Sequence, residues 1–316
     1  MTSTYPIFNN KYEIIKHLGD GETAKVYLAR SLRSGEKVAI KMIKDEFLCR
    51  DNDNALSVLR EMTILKNMNH EGIIKTKEFG WDGKIVKPSG RVLDELTYII
   101  MEYVEGGLFF DFVQSMGAMG EDAGRFFLHQ LLNSLEHMHN KGIVHRDIKL
   151  ENILYDEELN LKICDFGFSE HKNIDKLTDY VGTKTYMAPE IKQGKTYKGT
   201  EIDIFSVGVV LFSIVHGTFP FMEATQTDKF YNMLLTGNFD KYFQKLRGND
   251  ISYDFKDLIL SFFSYRGEYR PTIEQIRAHP WMRSASFDFE ATRRQLLLNL
   301  ASKQNAHLKV PVMKVD

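Results

Sequence analysis

The sequence changes character at Gly106-Gly107, and that break limits the fold more than any other feature of the chain. Before it, residues 12–44 alternate with β-branched and aromatic side chains and are interrupted at Gly19-Asp20-Gly21 and Ser34-Gly35. Alternation with glycine turns predicts three antiparallel strands. Asp53 or Asn54 then caps a helix reaching about residue 68, with Val58, Met62 and Leu65 at helical spacing on one face. Two further strands are predicted near residues 73–81 and 96–102, and residues 82–91 between them read as a polar loop longer than a hairpin needs. Residues 1–11 read as a loose polar lead-in. After the break, residues 121–140 place Phe126, Phe127, Leu131, Leu135 and Met138 along one side of a helix. Further helices are predicted near 203–216, 226–236, 254–263 and 272–278. No internal repeat and no low-complexity segment interrupts this order. Strands followed by helices predict an α+β chain, a small antiparallel sheet unit with one helix preceding a larger, mainly helical one.

A chain of 316 residues is long enough for two such units, each with its own core. The formal net charge of −2 supplies no basic field, so neither nucleic acid nor a membrane is an expected partner. Cys49 and Cys164 have no metal-ligand spacing and are too few for a disulfide framework, which points to reduced thiols. The first residues lack the basic and apolar blocks of a secretion signal, and position 2 lacks the Gly that myristoylation requires. The longest apolar run, residues 202–215, contains Asp203 and falls short of the roughly 20 residues that span a bilayer. A soluble intracellular protein, cytoplasmic or nuclear, is the expectation.

The chemistry is concentrated in Ile143-Val144-His145-Arg146-Asp147-Ile148-Lys149-Leu150-Glu151-Asn152. A carboxylate, an ammonium, an amide and a guanidinium crowd this run, and Asp165-Phe166-Gly167 follows one strand-length later. Asp147, Asn152 and Asp165 could meet around a divalent metal and a phosphate, with Lys149 supplying positive charge. Such groups suit phosphoryl transfer, in which a protein mainly positions reactants and neutralises developing charge. The plain alternative is a polar loop between two apolar segments. Upstream, Gly19-Asp20-Gly21-Glu22-Thr23-Ala24-Lys25-Val26 lies between two strand-like segments, where glycines let backbone N–H groups approach phosphate oxygens. By itself this is more often a hairpin turn. Val38-Ala39-Ile40-Lys41 places a Lys on an apolar strand, and Glu61, mid-helix, could pair with it.

In this order, the glycine loop, Val38-Ala39-Ile40-Lys41, Glu61, His145-Arg146-Asp147, Asp165-Phe166-Gly167 and Ala188-Pro189-Glu190 resemble the eukaryotic protein kinase family. Asp203-Ile204-Phe205-Ser206-Val207-Gly208, Pro220-Phe221, Arg270-Pro271-Thr272 and His279-Pro280-Trp281 extend the resemblance. It covers residues 12–282 and implies a bilobal fold, with an N-lobe over about 12–104, a C-lobe over about 105–282 and a tail over 283–316.

The resemblance implies ATP and Mg²⁺ as cofactors and protein Ser/Thr hydroxyls as acceptors. Asp147 would orient the hydroxyl and accept its proton, and Lys149 would contact the γ-phosphate. Asn152 and Asp165 would hold Mg²⁺, while Lys41, paired with Glu61, would hold ATP phosphates. Leu18, Gly19, Asp20, Gly21, Glu22, Thr23, Ala24, Lys25 and Val26 would cover the nucleotide. Val26, Ala39 and Leu154 would enclose the adenine, with Met101 at the gatekeeper position and the backbone of Glu102 and Val104 bonding the adenine edge. Asp203 would buttress the catalytic loop, and Glu190 would pair with Arg270. Lys149, together with Gly182-Thr183-Lys184-Thr185-Tyr186-Met187, looks like serine/threonine rather than tyrosine kinases, closest to the calcium/calmodulin- and AMP-regulated group.

Several positions depart from the family pattern. Ala24 replaces the third loop glycine, Phe205 a Trp, Thr76 an apolar residue, and Leu108 the Glu of kinases that prefer Arg upstream of the target. Asp179, four residues before Thr183, is expected to supply part of the negative charge that Arg146 needs, with phosphorylation of Thr178 or Tyr180 as the competing route. Cys164 is read as a packed thiol. The tail carries six Lys or Arg against three acids, and Phe289, Leu296, Leu297 and Leu300 could share a helical face. Docking on the helical lobe is its plain reading, and autoinhibition relieved by a regulator such as calmodulin the rival. The rival functions for the chain are a pseudokinase scaffold and a small-molecule kinase.

Overall fold

The structure is a computed structural model, and it describes residues 4–245 and 251–308. The chain divides into two compact units between Glu105 and Gly106.

The first unit is an antiparallel barrel. Strands β1 (Ile7–Phe8), β2 (Tyr12–Asp20), β3 (Ala24–Ser31) and β4 (Lys37–Ile43) precede helices α1 (Asp45–Leu48) and α2 (Asn52–Lys66). Strands β5 (Thr76–Val86) and β6 (Val92–Glu102) complete it in the order β1-β2-β3-β4-β6-β5, closed because β1 pairs with both β2 and β5. Closure leaves no free sheet edge. Phe8, Ile14, Ala29, Val38, Ile40, Met42, Ile85, Tyr98 and Ile100 fill the interior, and Phe8 meets Tyr98 edge-on at 4.9 Å.

Three expectations change here. The N-terminal lead-in is not loose throughout, because Phe8 is fully buried and its strand closes the barrel. Residues 82–91 are not a long loop. Gly83 and Ile85 point inward while Asp82 and Lys84 face out, so β5 runs on to Val86. Its turn is only Lys87 to Arg91, closed by Lys87 N–H to Arg91 O at 2.9 Å. The inward residue is a glycine because a Cβ at position 83 would stand 2.7 Å from Leu96 O. Finally, α2 is capped by Asp51, whose carboxylate accepts from Asp53 N–H at 3.2 Å, two residues before the expected cap.

The second unit begins with β7 (Gly107–Leu108) and the helices α3 (Phe109–Met116) and α4 (Gly120–Asn140). A 3-10 turn at Leu150–Asn152 leads into β8 (Ile153–Tyr155) and β9 (Leu161–Ile163), which form a three-stranded sheet in the order β7-β8-β9. Then follow α5 (Pro189–Lys192), α6 (Gly199–His216), α7 (Lys229–Leu235), α8 (Phe239–Lys245), α9 (Tyr253–Phe262), α10 (Ile273–Ala278) and α11 (Phe289–Leu308). Helices α4 and α6 form the core pair. Gly124 on α4 lets the helices approach, since a Cβ there would meet Val215 at 2.7 Å. Helix α6 is long and apolar enough to cross a membrane, but 89% of it is buried inside the unit, as a core helix is. The tail helix α11 docks on α3 and α4: Phe289 packs on Phe126 at 4.4 Å, Arg293 lies over both rings, and Leu296 is buried.

Candidate active site

Asp203 organises the second unit's polar centre. It sits on the most buried helix with no exposure, so its charge must be met by hydrogen bonds. It accepts from His139 Nε2 at 2.9 Å, from His145 N–H at 2.9 Å and from Arg146 N–H at 2.8 Å. Burial pushes this carboxyl upward, but those donors, led by His139, hold it below the usual carboxylate range. The two backbone bonds fix the loop just before Asp147, where Arg146 takes a left-handed φ of 66°. A non-glycine residue keeps such a φ only when its surroundings determine it. His145 adds to that determination: its Nε2 lies 3.2 Å from Cys164 O, and its ring packs edge-on against the buried Phe166.

Asp147 is therefore presented in one orientation. Asn152 Nδ2 donates to its Oδ2 at 2.9 Å and to its carbonyl at 3.0 Å. Thr183 donates from its backbone N–H at 3.0 Å and its hydroxyl at 2.9 Å to Oδ1. Lys149 Nζ lies 2.7 Å from Asp147 Oδ2 and donates to Thr183 Oγ1 at 2.7 Å. A carboxylate, an ammonium and a hydroxyl thus share one small polar space, where a hydroxyl nucleophile and a transferred anion would find a base and a cation.

Asp165 follows β9 with a φ of 61° and is exposed, the second strained residue beside the site. Asn152 commits its amide nitrogen to Asp147, so its Oδ1 is the atom left for a cation. Among the described residues no group of three or more His, Cys, Asp or Glu is gathered around a metal site. Two hard oxygen donors, completed by water and phosphate, are the usual protein share of a Mg²⁺ site that arrives with a nucleotide. The residues present fit such an ion.

The first unit holds the remaining candidates. Lys41 on β4 and Glu61 on α2 are both buried and pair at 2.6 Å, so Glu61 is not a surface acid. Leu18 to Val26 form the β2–β3 hairpin and its tip, tied down by Lys44, whose Nζ donates to Gly21 O at 2.6 Å and pairs with Asp20. The hydrogen bond from Lys44 lowers the Asp20 carboxyl pKa. Ala39 lies opposite Met101, Val38 opposite Glu102, and Val104 is buried. Thr76 carries a buried hydroxyl without a hydrogen-bond partner, the polar cost of its replacing an apolar residue. In the second unit, Leu154 pairs with the exposed Leu108 across β7–β8.

Further anchors complete the second unit. Glu190 and Arg270 form a two-pronged pair at 2.6 and 2.7 Å, with the Arg270 guanidinium 4.9 Å from the Phe205 ring. Phe205 thereby supplies the aromatic face on which this buried cation rests. Tyr186, buried, donates to Glu151 at 3.1 Å. Sequence reasoning singled out Asp203, Glu190 and Arg270 but missed Thr183 and His139 as partners of the site. Thr183 was legible only as part of a loop motif. His139 was a polar residue in the last turn of an amphipathic helix, and nothing local reveals that it faces Asp203.

A family model described as protein kinase domain matches residues 12–282. The chain is 34% identical over 283 residues to CBL-interacting protein kinase 11 of Oryza sativa subsp. japonica, covering 88% of this chain and 52% of that protein. It is 33% identical over 281 residues to sperm motility kinase 2B of Mus musculus, covering 88% and 53%. To CBL-interacting protein kinase 26 of Oryza sativa subsp. japonica it is 34% identical over 284 residues, covering 89% and 54%. The chain spans about half the length of these curated relatives.

Proposed function

Because this chain belongs to the protein kinase family, with ATP as its phosphoryl donor, we propose that it phosphorylates serine and threonine hydroxyls of proteins with Mg²⁺. The carrying observation is the cluster in which Asp147 is oriented by Asn152 and Thr183 beside Lys149. Asp147 aligns the acceptor hydroxyl and takes its proton as that oxygen bonds the γ-phosphorus of ATP and the bond from this phosphorus to the bridging oxygen breaks, with ADP leaving. Lys149 moves from Thr183 toward the transferred phosphoryl group and offsets its charge. Asn152 and Asp165 would hold Mg²⁺, which would supply positive charge to the phosphate oxygens. Lys41, fixed by Glu61, holds the phosphates that stay behind. Retention of Lys41, Asp147, Asn152 and Asp165 weighs against a scaffold that only binds nucleotide. The segment ending at Ala188-Pro189-Glu190 weighs against a small-molecule acceptor.

Glu151 offers one carboxylate to an incoming peptide, part of it already engaged by Tyr186, and Leu108 offers none. A strongly basic target sequence therefore has little support. A regulator at the tail would have to displace α11 from Phe126, so docking is the better supported state of the tail. Soluble, cytoplasmic or nuclear residence is part of the same reading.

The test is turnover with Mg·ATP against a peptide array. The wild type should label Ser and Thr peptides, and Asp147→Asn should lose about 10²–10⁴-fold in kcat, the usual contribution of a positioned base. Equal labelling by both proteins would remove the proposal.

A further inference from the structure

We propose that Asp179 is a positioning residue for this reaction: its carboxylate, in place of a phosphate, holds the segment after Asp165 against Arg146 and keeps Thr183 on Asp147. The inference rests on the kinase reading above and adds what keeps the site assembled.

The Arg146 side chain is 3% exposed, so its charge has to be met inside the protein. Arg146 Nη1 donates to Asp179 Oδ2 at 2.6 Å, and Nε donates to Phe168 O at 2.6 Å. Both partners lie in the segment that leads from Asp165 to Ala188. Asp179 itself is 54% exposed and is held in place through its backbone instead. Tyr197 donates its hydroxyl to Asp179 O at 2.9 Å, and Leu177 and Tyr197 form an antiparallel bridge with both hydrogen bonds at 2.9 Å. The carboxylate is delivered to Arg146 by a backbone bridge and a tyrosine hydroxyl.

From Asp179 the chain runs along the two residues that matter. Gly182, at φ 106°, passes so close that a Cβ would stand 2.9 Å from Arg146 O. Thr183 then donates twice to Asp147. Residues 179, 182 and 183 thus touch Arg146, Arg146 and Asp147 in turn. One guanidinium meets one carboxylate here, a match of single charges, whereas a phosphate brings between one and a half and two negative charges. A carboxylate encoded in the chain is present from synthesis, so the segment is ordered without a modifying enzyme.

The experiment uses the full chain made in bacteria, treated with phosphatase and shown by mass spectrometry to carry no phosphate. Steady-state turnover and amide hydrogen exchange are measured for wild type, Asp179→Asn and Asp179→Glu. The unphosphorylated wild type should be active. Asp179→Asn should lose roughly 10–100-fold in kcat, the scale of a displaced catalytic group, with KM for ATP unchanged. Its amides over residues 177–187 should exchange faster while Tm holds, and Asp179→Glu should recover most of the rate. Wild-type kcat and wild-type exchange in Asp179→Asn would overturn the proposal. So would an unphosphorylated wild type that gains turnover only when Thr178 or Tyr180 is phosphorylated. A wild type without turnover in either state would instead count against the kinase reading, and the exchange comparison would still decide for or against Asp179.

Discussion

His216 closes α6 with its ring stacked on Phe212 at 4.1 Å and tilted against Phe255 at 5.6 Å. Both ring nitrogens are out of solvent and have no hydrogen-bond partner. Burial therefore lowers its pKa to about 4, opposed only in part by the charge of Glu121. The unfolded chain binds a proton at this residue near pH 6.5, so between that pH and about 4 the unfolded state holds the extra proton. Stability is fully present above the unfolded value and is lost as pH falls toward the folded one. His216→Phe keeps the stacking and removes the proton. Measured by urea unfolding at pH 7.5 and pH 5, the wild type should lose about 2 kcal/mol more than the variant. Equal losses would show that the ring is already hydrated or paired. His139 differs in its surroundings, since its ring has a partner, a buried carboxylate at 2.9 Å. Residue type alone distinguishes neither, and this is why a sequence reading of charged residues is surest where they crowd together, as at residues 143–152.

Strand β1 is only two residues long, yet it closes the barrel by pairing with β2 on one side and β5 on the other. Phe8→Ala should therefore cost about 3–5 kcal/mol, the range for emptying a buried aromatic site. Amide exchange reports the loss locally, with Asn9 N–H, now bonded to Lys84 O at 2.8 Å, and Ile14 N–H, bonded to Pro6 O at 2.9 Å, losing protection first. Retained protection at both amides would show that the closure stands without the ring. An element so short leaves no periodic trace among its polar neighbours, which is why the N-terminus read as a lead-in. The end of β5 was hidden differently: the first of its inward positions is Gly83, which carries no apolar side chain to mark the alternation. Helices α4 and α6 were legible because one has a long apolar stripe and the other is apolar almost throughout. The chemical groups of the site were legible for a related reason, since Asp147, Lys149 and Asn152 lie within six consecutive residues. Thr183, which bonds Asp147, and Asp203 with its partner His139, which hold the loop before Asp147, come from other elements, and only folding brings them there.

The second unit extends past the residues gathered around Asp147, because α11 is part of its packing. Phe289 and Arg293 cover Phe126, Phe287 stacks on His129 at 5.9 Å, and Leu296 is buried. Farther along, Lys303 Nζ donates to Met116 O at 2.9 Å and to Ser115 O, the last carbonyls of α3. A cation placed there satisfies groups that a helix end leaves open and complements its dipole. Helix α3 in turn packs on the 3-10 turn that carries Asn152. Contacts run from the tail helix through α3 to the turn that carries Asn152, which is the geometry of a brace. An autoinhibitory tail and a brace make opposite predictions for a chain ending at residue 288. Loss of an inhibitor raises turnover. Loss of a brace exposes Phe126 and the end of α3, costing about 2–4 kcal/mol for the Phe289 and Leu296 contacts. The expected outcome is a lower Tm, faster amide exchange over residues 109–117, and turnover at or below that of the full chain, with or without calcium and calmodulin. Turnover above the full chain would identify α11 as an inhibitor despite its packing, and an unchanged Tm would show that its contacts carry no stabilising weight.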